Sequence, residues 1–467
     1  MRLTKLLLYT CTVFLFLYSC KKESLLTSSS ASLRITADTI RFDTVFTSVG
    51  SITRSFKIVN ENDQPIRLSG VQLAGGNNSP FRLNINGRAA NSVTNLDIPA
   101  TDSIYIFAAV TINPSTANLP FILTDSIRIT YNGNTRYVQL EAYGQNARFI
   151  RNGVIRTNTV WDNQLPYVIL GGLRVDTLAS LTIQAGTRIY AHSNAPVIVD
   201  GSLQANGTVS APIIFTGDRL DAPYNSFPAS WPGIYFRGSS INNKLTFTHV
   251  RNANQAVSCF FPSNNANPKL DINQCIIDNA YDAGLYCFNT EVNIANSLIS
   301  NCASNVLVQA GGIYNIRHCT VASYDNDFFA HKTPVLSLSN SAIINGTLQS
   351  ASLTARIVNS ICWSDGGFVD NDVQVFKNGT AAVQVIFDHS LFRAATDPLN
   401  ATFVQCIRNV DPRFDSIDVA NHIYDFHVTK NAFAPGLNAG IVTGLPLDLD
   451  NKNRAVGLPD LGAYEKQ

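Results

Sequence analysis

The chain has 467 residues, of which 45 % are hydrophobic and 14 % charged, with a formal net charge of +1. That apolar share excludes a disordered chain, and the balanced charge leaves no basic field for nucleic acid, so no nucleic-acid partner is expected. The length allows two or three domains. One Met, few Glu and no sustained 3.6-residue period leave little helix signal, so the chain reads as all-β.

Arg2 and Lys5 precede an apolar run from Leu6 to Tyr18 that is too short for an ordinary membrane-spanning helix. Then comes Leu17-Tyr18-Ser19-Cys20, which looks like a bacterial lipobox. The resemblance implies a lipoprotein signal peptide at 1–19, acylation of Cys20, and cell-envelope lipid as a partner. The chain would then sit at the bacterial outer membrane or cell surface. The alternative is an ordinary secretory signal with a chance cysteine. Residues 20–32, with Lys21-Lys22-Glu23 and Ser28-Ser29-Ser30, read as a polar tether. Their basic-acidic start resembles surface-export signals of Bacteroidota lipoproteins.

Residues 33–145 alternate as strands do, for instance in Ser55-Phe56-Lys57-Ile58-Val59-Asn60 and Tyr137-Val138-Gln139-Leu140. Asn62-Asp63-Gln64-Pro65, Asn86-Gly87 and Asn132-Gly133-Asn134 supply turns. Several short strands in this length predict an immunoglobulin-like sandwich. Phe56-Lys57-Ile58-Val59-Asn60 followed by Pro65-Ile66-Arg67-Leu68 resembles domains related to major sperm protein, which implies a spacer or docking module.

After a linker or cap at 146–164, residues 165–445 read as a parallel β-helix. Polar-plus-small pairs recur: Gln274-Cys275, Asn296-Ser297, His318-Cys319, Asn340-Ser341, Asn359-Ser360, His389-Ser390 and, more loosely, His249-Val250. From His249 the steps are 25, 22, 22, 22, 19 and 30 residues. A period in this range marks a solenoid, and alternation such as Leu270-Asp271-Ile272 makes each repeat a coil of strands. The small residues should point inward. The Gln, Asn and His residues should form a ladder at a turn, bonded to the coils above and below. His318 and His389 then occupy Asn positions, which makes them ladder residues rather than catalytic ones.

Beyond Cys11 and Cys20, seven cysteines remain, an odd number that cannot all pair. Cys275 and Cys319 would lie two coils apart, about 9–10 Å, beyond disulfide reach. Cys259 and Cys287 fall in similar runs and should be neighbours in one stack. No Cys-x-x-Cys spacing points to a metal site.

Gly201-Ser202-Leu203-Gln204-Ala205-Asn206-Gly207-Thr208 and Trp231-Pro232-Gly233-Ile234 look like the opening coils of bacterial surface β-helix proteins. Asp448-Leu449-Asp450, Arg454 and Pro459-Asp460-Leu461-Gly462-Ala463-Tyr464-Glu465 resemble the terminal motif of "choice-of-anchor" right-handed β-helix proteins. The resemblance implies a right-handed solenoid and a cap motif at 446–467. In that corner Arg454 would pair with Asp448, Asp460 or Glu465 and seal the open last coil.

Hydrolases of the polygalacturonase type carry Asp-Asp, His-Gly and Arg-x-Lys; the solenoid has none of these. Two segments carry candidate chemistry. Asp325, Asp327, His331 and Lys332 bring carboxylate, imidazole and ammonium within eight residues, a set suited to Ca²⁺ binding or proton abstraction. Asp218, Asp221, Tyr224 and Trp231 combine acids with aromatics, a set suited to sugar stacking and hydroxyl recognition. The expected function is non-catalytic binding of a polysaccharide or surface protein through the solenoid's flank. The alternative is a polysaccharide lyase or glycoside hydrolase with an atypical site. No cofactor is expected beyond that Ca²⁺ option.

Overall fold

The computed structural model describes residues 24–46, 51–112, 121–324, 328, 330–365, 367–428, 433–454 and 456–467. Apart from two short 3-10 turns, at Gly76–Asn78 and Tyr224–Ser226, the described elements are strands, so the chain is all-β. It divides into two compact units, Met1–Asn146 and Ala147–Gln467.

The first unit holds two five-stranded sheets. Thr39–Phe46 runs parallel to Asn134–Gln145, while neighbours such as Arg54–Asn60 and Ser103–Val110 pair antiparallel. Alternation buries Phe56, Ile58, Ile104 and Ile106 between the sheets. Asn86-Gly87 and Asn132-Gly133 are two-residue hairpin turns with all four residues at positive φ, the conformation that type I′ turns require. Asn60 is buried and donates its amide hydrogens to the carbonyls of Gln64, Ile98 and Pro99 at 2.8–3.2 Å. These sheets fit the immunoglobulin-like expectation.

The second unit is a parallel β-helix, a 26-stranded sheet wound into coils. Successive coils stack in three parallel ladders. The first stacks Val197–Val199, Ile234–Phe236 and 257–259. The second stacks Ser202–Asn206, Asn243–Thr246 and Leu270–Asn273. The third stacks Ile213–Gly217, Thr248–Arg251 and Ile276–Asp278. The parallel pairing starts at Arg148–Ile155, inside the segment 146–164 that composition marks as a linker or cap. That strand shows little burial, so its sequence (Arg148, Arg151, Asn152) lacks the alternation of an enclosed coil.

The recurrent pairs lie at the corner between the second and third ladders. Phe247, Gln274, Asn296, His318, Asn359 and His389 all take left-handed φ values of 42–53°. Asparagine tolerates this conformation better than most residues. The next residue is small, buried and bonded. Ser297 Oγ donates to the Ala295 carbonyl and accepts the N–H of Cys275 from the neighbouring coil. Ser360 does the same with Val358 and Cys319, and Ser390 with Asp388 and Ser360.

Two members of the expected column are corrected. The register runs through Phe247 and Thr248, not His249-Val250, because Thr248 is the residue stacked beside Ile213. Asn340-Ser341 lies off the column. Leu336–Ser339 stacks in the first ladder on 306–308, and an antiparallel hairpin, Ser341–Ile344 with Thr347–Ser350, is inserted next. The column position after His318 is Asn359, 41 residues on. Cys259 and Cys287 are stacked neighbours, and the described cysteines are all free thiols. Burial pushes the Cys275 and Cys319 thiols up to about 12.

The chain after the coils packs on the outer face of the third ladder. Phe426, Leu449, Ala463 and Tyr464 cover Leu298 and Ala322, and Leu461 covers Ile361 and Leu391. The column amides hold this tail more than they bond one another, although Asn359 Nδ2 does meet His318 Nε2 of the neighbouring coil at 3.0 Å, as a ladder requires. Gln274 Nε2 donates to the Asp448 carbonyl at 2.6 Å, and Asn359 bonds Ile441 in both directions at 2.7 and 3.0 Å. His318 Nε2 lies 3.0 Å from Thr443 Oγ1. Arg454, fully buried, donates to Asn296 Oδ1 and pairs with Glu465 Oε2 at 3.2 Å. The terminal motif therefore straps the flank of the coils instead of sealing the last one. The interior near the last coil is filled by Phe387, Phe392 and Phe403, with ring centroids 5.1–5.7 Å apart.

Candidate functional site

Arg251, Asp278 and Ser300 occupy one register position on stacked strands of the third ladder. Each follows a residue buried in the core (Val250, Ile277, Ile299), so strand alternation turns it outward. Ser300 Oγ donates to Asp278 Oδ1 at 2.7 Å. Burial pushes the Asp278 carboxyl above its ordinary value, against the opposing pull of Ser300 and the Arg251 guanidinium.

At the adjoining corner Asn252, Asn279 and Asn301 take left-handed φ values of 61°, 56° and 48°. Asn279 donates to Asn252 Oδ1 at 2.8 Å and to the Ser226 carbonyl at 2.7 Å; Asn252 donates to the Asn225 carbonyl at 2.8 Å. These bonds fix the turn Tyr224–Ser226 as one wall. His422 and Tyr424, from the hairpin Ser416–Asp418 and Ile423–Asp425, stand among the lining residues, as does Phe328. The ring of Phe328 meets Phe227 edge-on at 5.1 Å. Together they enclose a cleft of about 370 Å³ that joins aromatic side chains to amides, a guanidinium and a partly desolvated carboxyl. Such a mixture suits a hydroxylated ligand with apolar patches.

Both segments singled out in the sequence border this cleft, though not through the residues expected. Asp218 Oδ2 lies 2.7 Å from His192 Nδ1, and burial raises its carboxyl despite that contact. Asp221 is buried and clamped by Arg219 through both oxygens at 2.8 and 3.0 Å, while the guanidinium lies 3.9 Å from the Tyr224 ring centroid. These contacts shape the loop. Trp231 is fully buried, 6.3 Å from Phe215, with its indole N–H on the Arg251 carbonyl at 2.8 Å. It belongs to the core and offers no face to a ligand, because its bridge to Ala253 turns it inward.

Asp325 and Asp327 lie outside the described residues, as does Cys20. His331 is buried, whereas Lys332 is exposed with its ammonium 5.5 Å from the Phe368 ring centroid, so the two are not brought together. Among the described residues, no three His, Cys, Asp or Glu side chains are grouped to hold a metal ion. Arg251, Asp278, His422 and Tyr424 escaped the sequence reading. The one available signal was the stacking step of 22 residues that separates Asp278 from Ser300.

Residues 153–260 match the family model of a pectate-lyase-like beta helix domain. The match covers the first coils, up to the strand Gln255–Phe260, and stops short of Asp278. No curated protein matches the chain. Among solved structures, one likeness is to a family 123 glycoside hydrolase from Clostridium perfringens, at 12 % identity and a TM-score of 0.18. It covers 27 % of this chain and 30 % of that one. Another is to the ASH/PapD-like domain 7 of human CEP192, at 8 % identity and a TM-score of 0.18, over 28 % of this chain and 93 % of that one. At those scores neither likeness bears on function.

Proposed function

We propose that this is a lipid-anchored protein of the bacterial outer surface whose β-helix binds a glycan in the third-ladder cleft without cleaving it. The observation that carries the reading is the meeting of Phe328 and Tyr424 with Arg251, Asp278 and Asn279 in one concavity. Sugars present apolar C–H faces to rings and hydroxyls to amides and carboxylates. The match of the first coils to a pectate-lyase-like domain supports a carbohydrate as the ligand class. Calorimetry of the mature protein against neutral and acidic polysaccharides tests it. Tyr424→Ala should weaken binding roughly threefold to tenfold, the equivalent of about 0.5–1.5 kcal/mol. A polysaccharide bound equally well by the wild type, Tyr424→Ala and Asp278→Ala would sink the assignment.

One observation favours a second reading, polysaccharide cleavage: the raised Asp278 carboxyl is suited to donate a proton. Against it, Asp278 is the only carboxylate among the described lining residues, and most glycosidases use two. Release of reducing or unsaturated ends by the wild type, abolished in Asp278→Asn, would put catalysis first.

A further inference from the structure

His427 follows the strand Ile423–Asp425 that carries Tyr424 to the cleft. Both of its ring nitrogens meet carboxylate oxygens: Nδ1 lies 2.5 Å from Asp425 Oδ1, and Nε2 lies 2.9 Å from Asp450 Oδ2. A neutral imidazole has one N–H and would turn its lone pair toward one of these anions. With both carboxylates ionised, only the imidazolium satisfies both contacts. Asp425 belongs to the hairpin and Asp450 to the tail, so the protonated ring ties the cleft wall to the strap.

Other charged and titratable groups among the described residues also act around the ring. Lys452 Nζ shares Asp450 Oδ2 at 3.2 Å, and the ring lies on Tyr464 with centroids 3.8 Å apart. Asp448 and Arg251 stand close enough to act on Tyr464. Burial lowers the affinity of His427 for its proton, the two carboxylates raise it, and the balance lies above an ordinary histidine.

We propose that His427 is a pH-governed latch: its proton fixes the hairpin wall of the cleft, and loss of that proton loosens the wall and weakens ligand binding. The statement about ligand rests on the glycan reading of the cleft; the statement about the wall does not. A two-stranded hairpin is marginal without anchors, and this one is held by Phe426, which packs on Phe414, Tyr424 and Tyr324, and by the His427 contacts. Because the folded pKa is raised, the latch is complete below the ordinary histidine value of about 6.5 and is lost as pH rises through the folded value. The cleft would therefore hold its ligand best in mildly acidic medium.

The test starts without ligand. Amide hydrogen exchange of residues 416–425, corrected for intrinsic base catalysis, should accelerate between about pH 6 and about pH 9. In His427→Gln it should be fast already at the lower pH, with the same trend in Asp450→Asn. The second arm measures affinity for cello-oligosaccharide and oligogalacturonate probes, expected to fall severalfold over that range in the wild type and to stay level in His427→Gln. An imidazole resonance that titrates at or below an ordinary histidine, or hairpin exchange identical in wild type and His427→Gln, would overturn the latch. If the hairpin responds to pH but neither probe nor any screened polysaccharide binds, the latch stands and the glycan reading of the cleft falls.

Discussion

Replacing Arg454 with methionine probes the strap most directly. The guanidinium donates to Asn296 Oδ1 at 3.0 Å, to the carbonyls of Gly462 and Ala463 at 3.1 and 3.0 Å, and to Glu465 Oε2 at 3.2 Å. Burial lowers the pKa of Arg454 and raises that of Glu465 to about 7, so the cost of removing the pair from water exceeds its attraction. In Arg454→Met the carboxyl stays buried with the Asp460 N–H, 3.0 Å away, as its remaining partner on that oxygen. Breaking one side of such a pair costs about 3–5 kcal/mol. A tail held over the flank should respond by detaching locally before the coils unfold. Trp363 packs in the cluster with Leu461 and reports on that step, whereas Trp161 and Trp231 lie in the solenoid core. The expected result is an early fluorescence transition in urea together with rapid proteolysis within 433–467. The sign of the pH effect follows from Glu465. Its folded pKa lies above the unfolded value of about 4.3, so this group disfavours the folded tail increasingly as pH rises from there through about 7. The variant should therefore be least impaired in acid. Arg454→Met combined with Glu465→Leu should recover the part of the loss that comes from the unpaired carboxyl, while Asn296, Gly462 and Ala463 still lack their donor. A variant with unchanged midpoint and a protected tail, or a double variant weaker than the single one, would refute this account.

Lys269 is buried and donates to the carbonyls of Arg237, Gly238 and Ser240 at 3.1, 3.0 and 2.7 Å, and burial pushes its pKa down to about 8. Lys269→Met should cost about 3 kcal/mol in chemical unfolding, because three carbonyls lose their donor. Relative to that variant, the wild type should gain stability as pH rises from about 8 towards the unfolded lysine value of about 10.4, since the unfolded chain binds the extra proton there; a flat difference would count against the depressed value. His318→Asn should be tolerated, as Asn359 fills the same column position, whereas His318→Leu should lose about 1–3 kcal/mol by stripping Asn359 and Thr443 of a partner. Equal thermal midpoints for the two would contradict the column. Cys20→Ala should leave the chain unprocessed or out of the detergent phase on phase partition, and unchanged partition would remove the lipid anchor from the proposal.

The solenoid was legible because its coils repeat chemistry as well as length. Cys275, Ser297 and Cys319 each need a small side chain that bonds the chain two residues back, so the pairs stand out. The period misled at Asn340, which lies 22 residues after His318 but directly precedes an inserted hairpin. The amide column also looked self-sufficient, since nothing in a local window foretells that Gln274 will meet Asp448, 174 residues away. The cleft was harder to read for the same reason. The segments 218–231 and 324–332 stand out by composition, and Asn225, Ser226 and Phe328 within them do line the cleft. Its floor comes from Arg251 and Asp278, which look like ordinary strand-end polar residues until stacking aligns them. Its far wall comes from a hairpin beyond the coils.

The strap also changes how this solenoid should come apart. In a simple stack each coil touches only its neighbours, so stability adds up coil by coil and fraying can begin at either end. Here Gln274, Asn296 and Thr320 are tied to tail residues at sequence separations of 174, 158 and 143. Those ties couple coils that would otherwise open independently. They also lengthen the loops that must close before the native state is complete, which slows the last stage of folding. During synthesis the coils around Gln274 emerge well before Asp448 and Arg454, so their corner amides wait, hydrated, for a partner that arrives late. The strapped coils should then melt as one block, while the coils before about residue 250 keep the graded behaviour of a free stack.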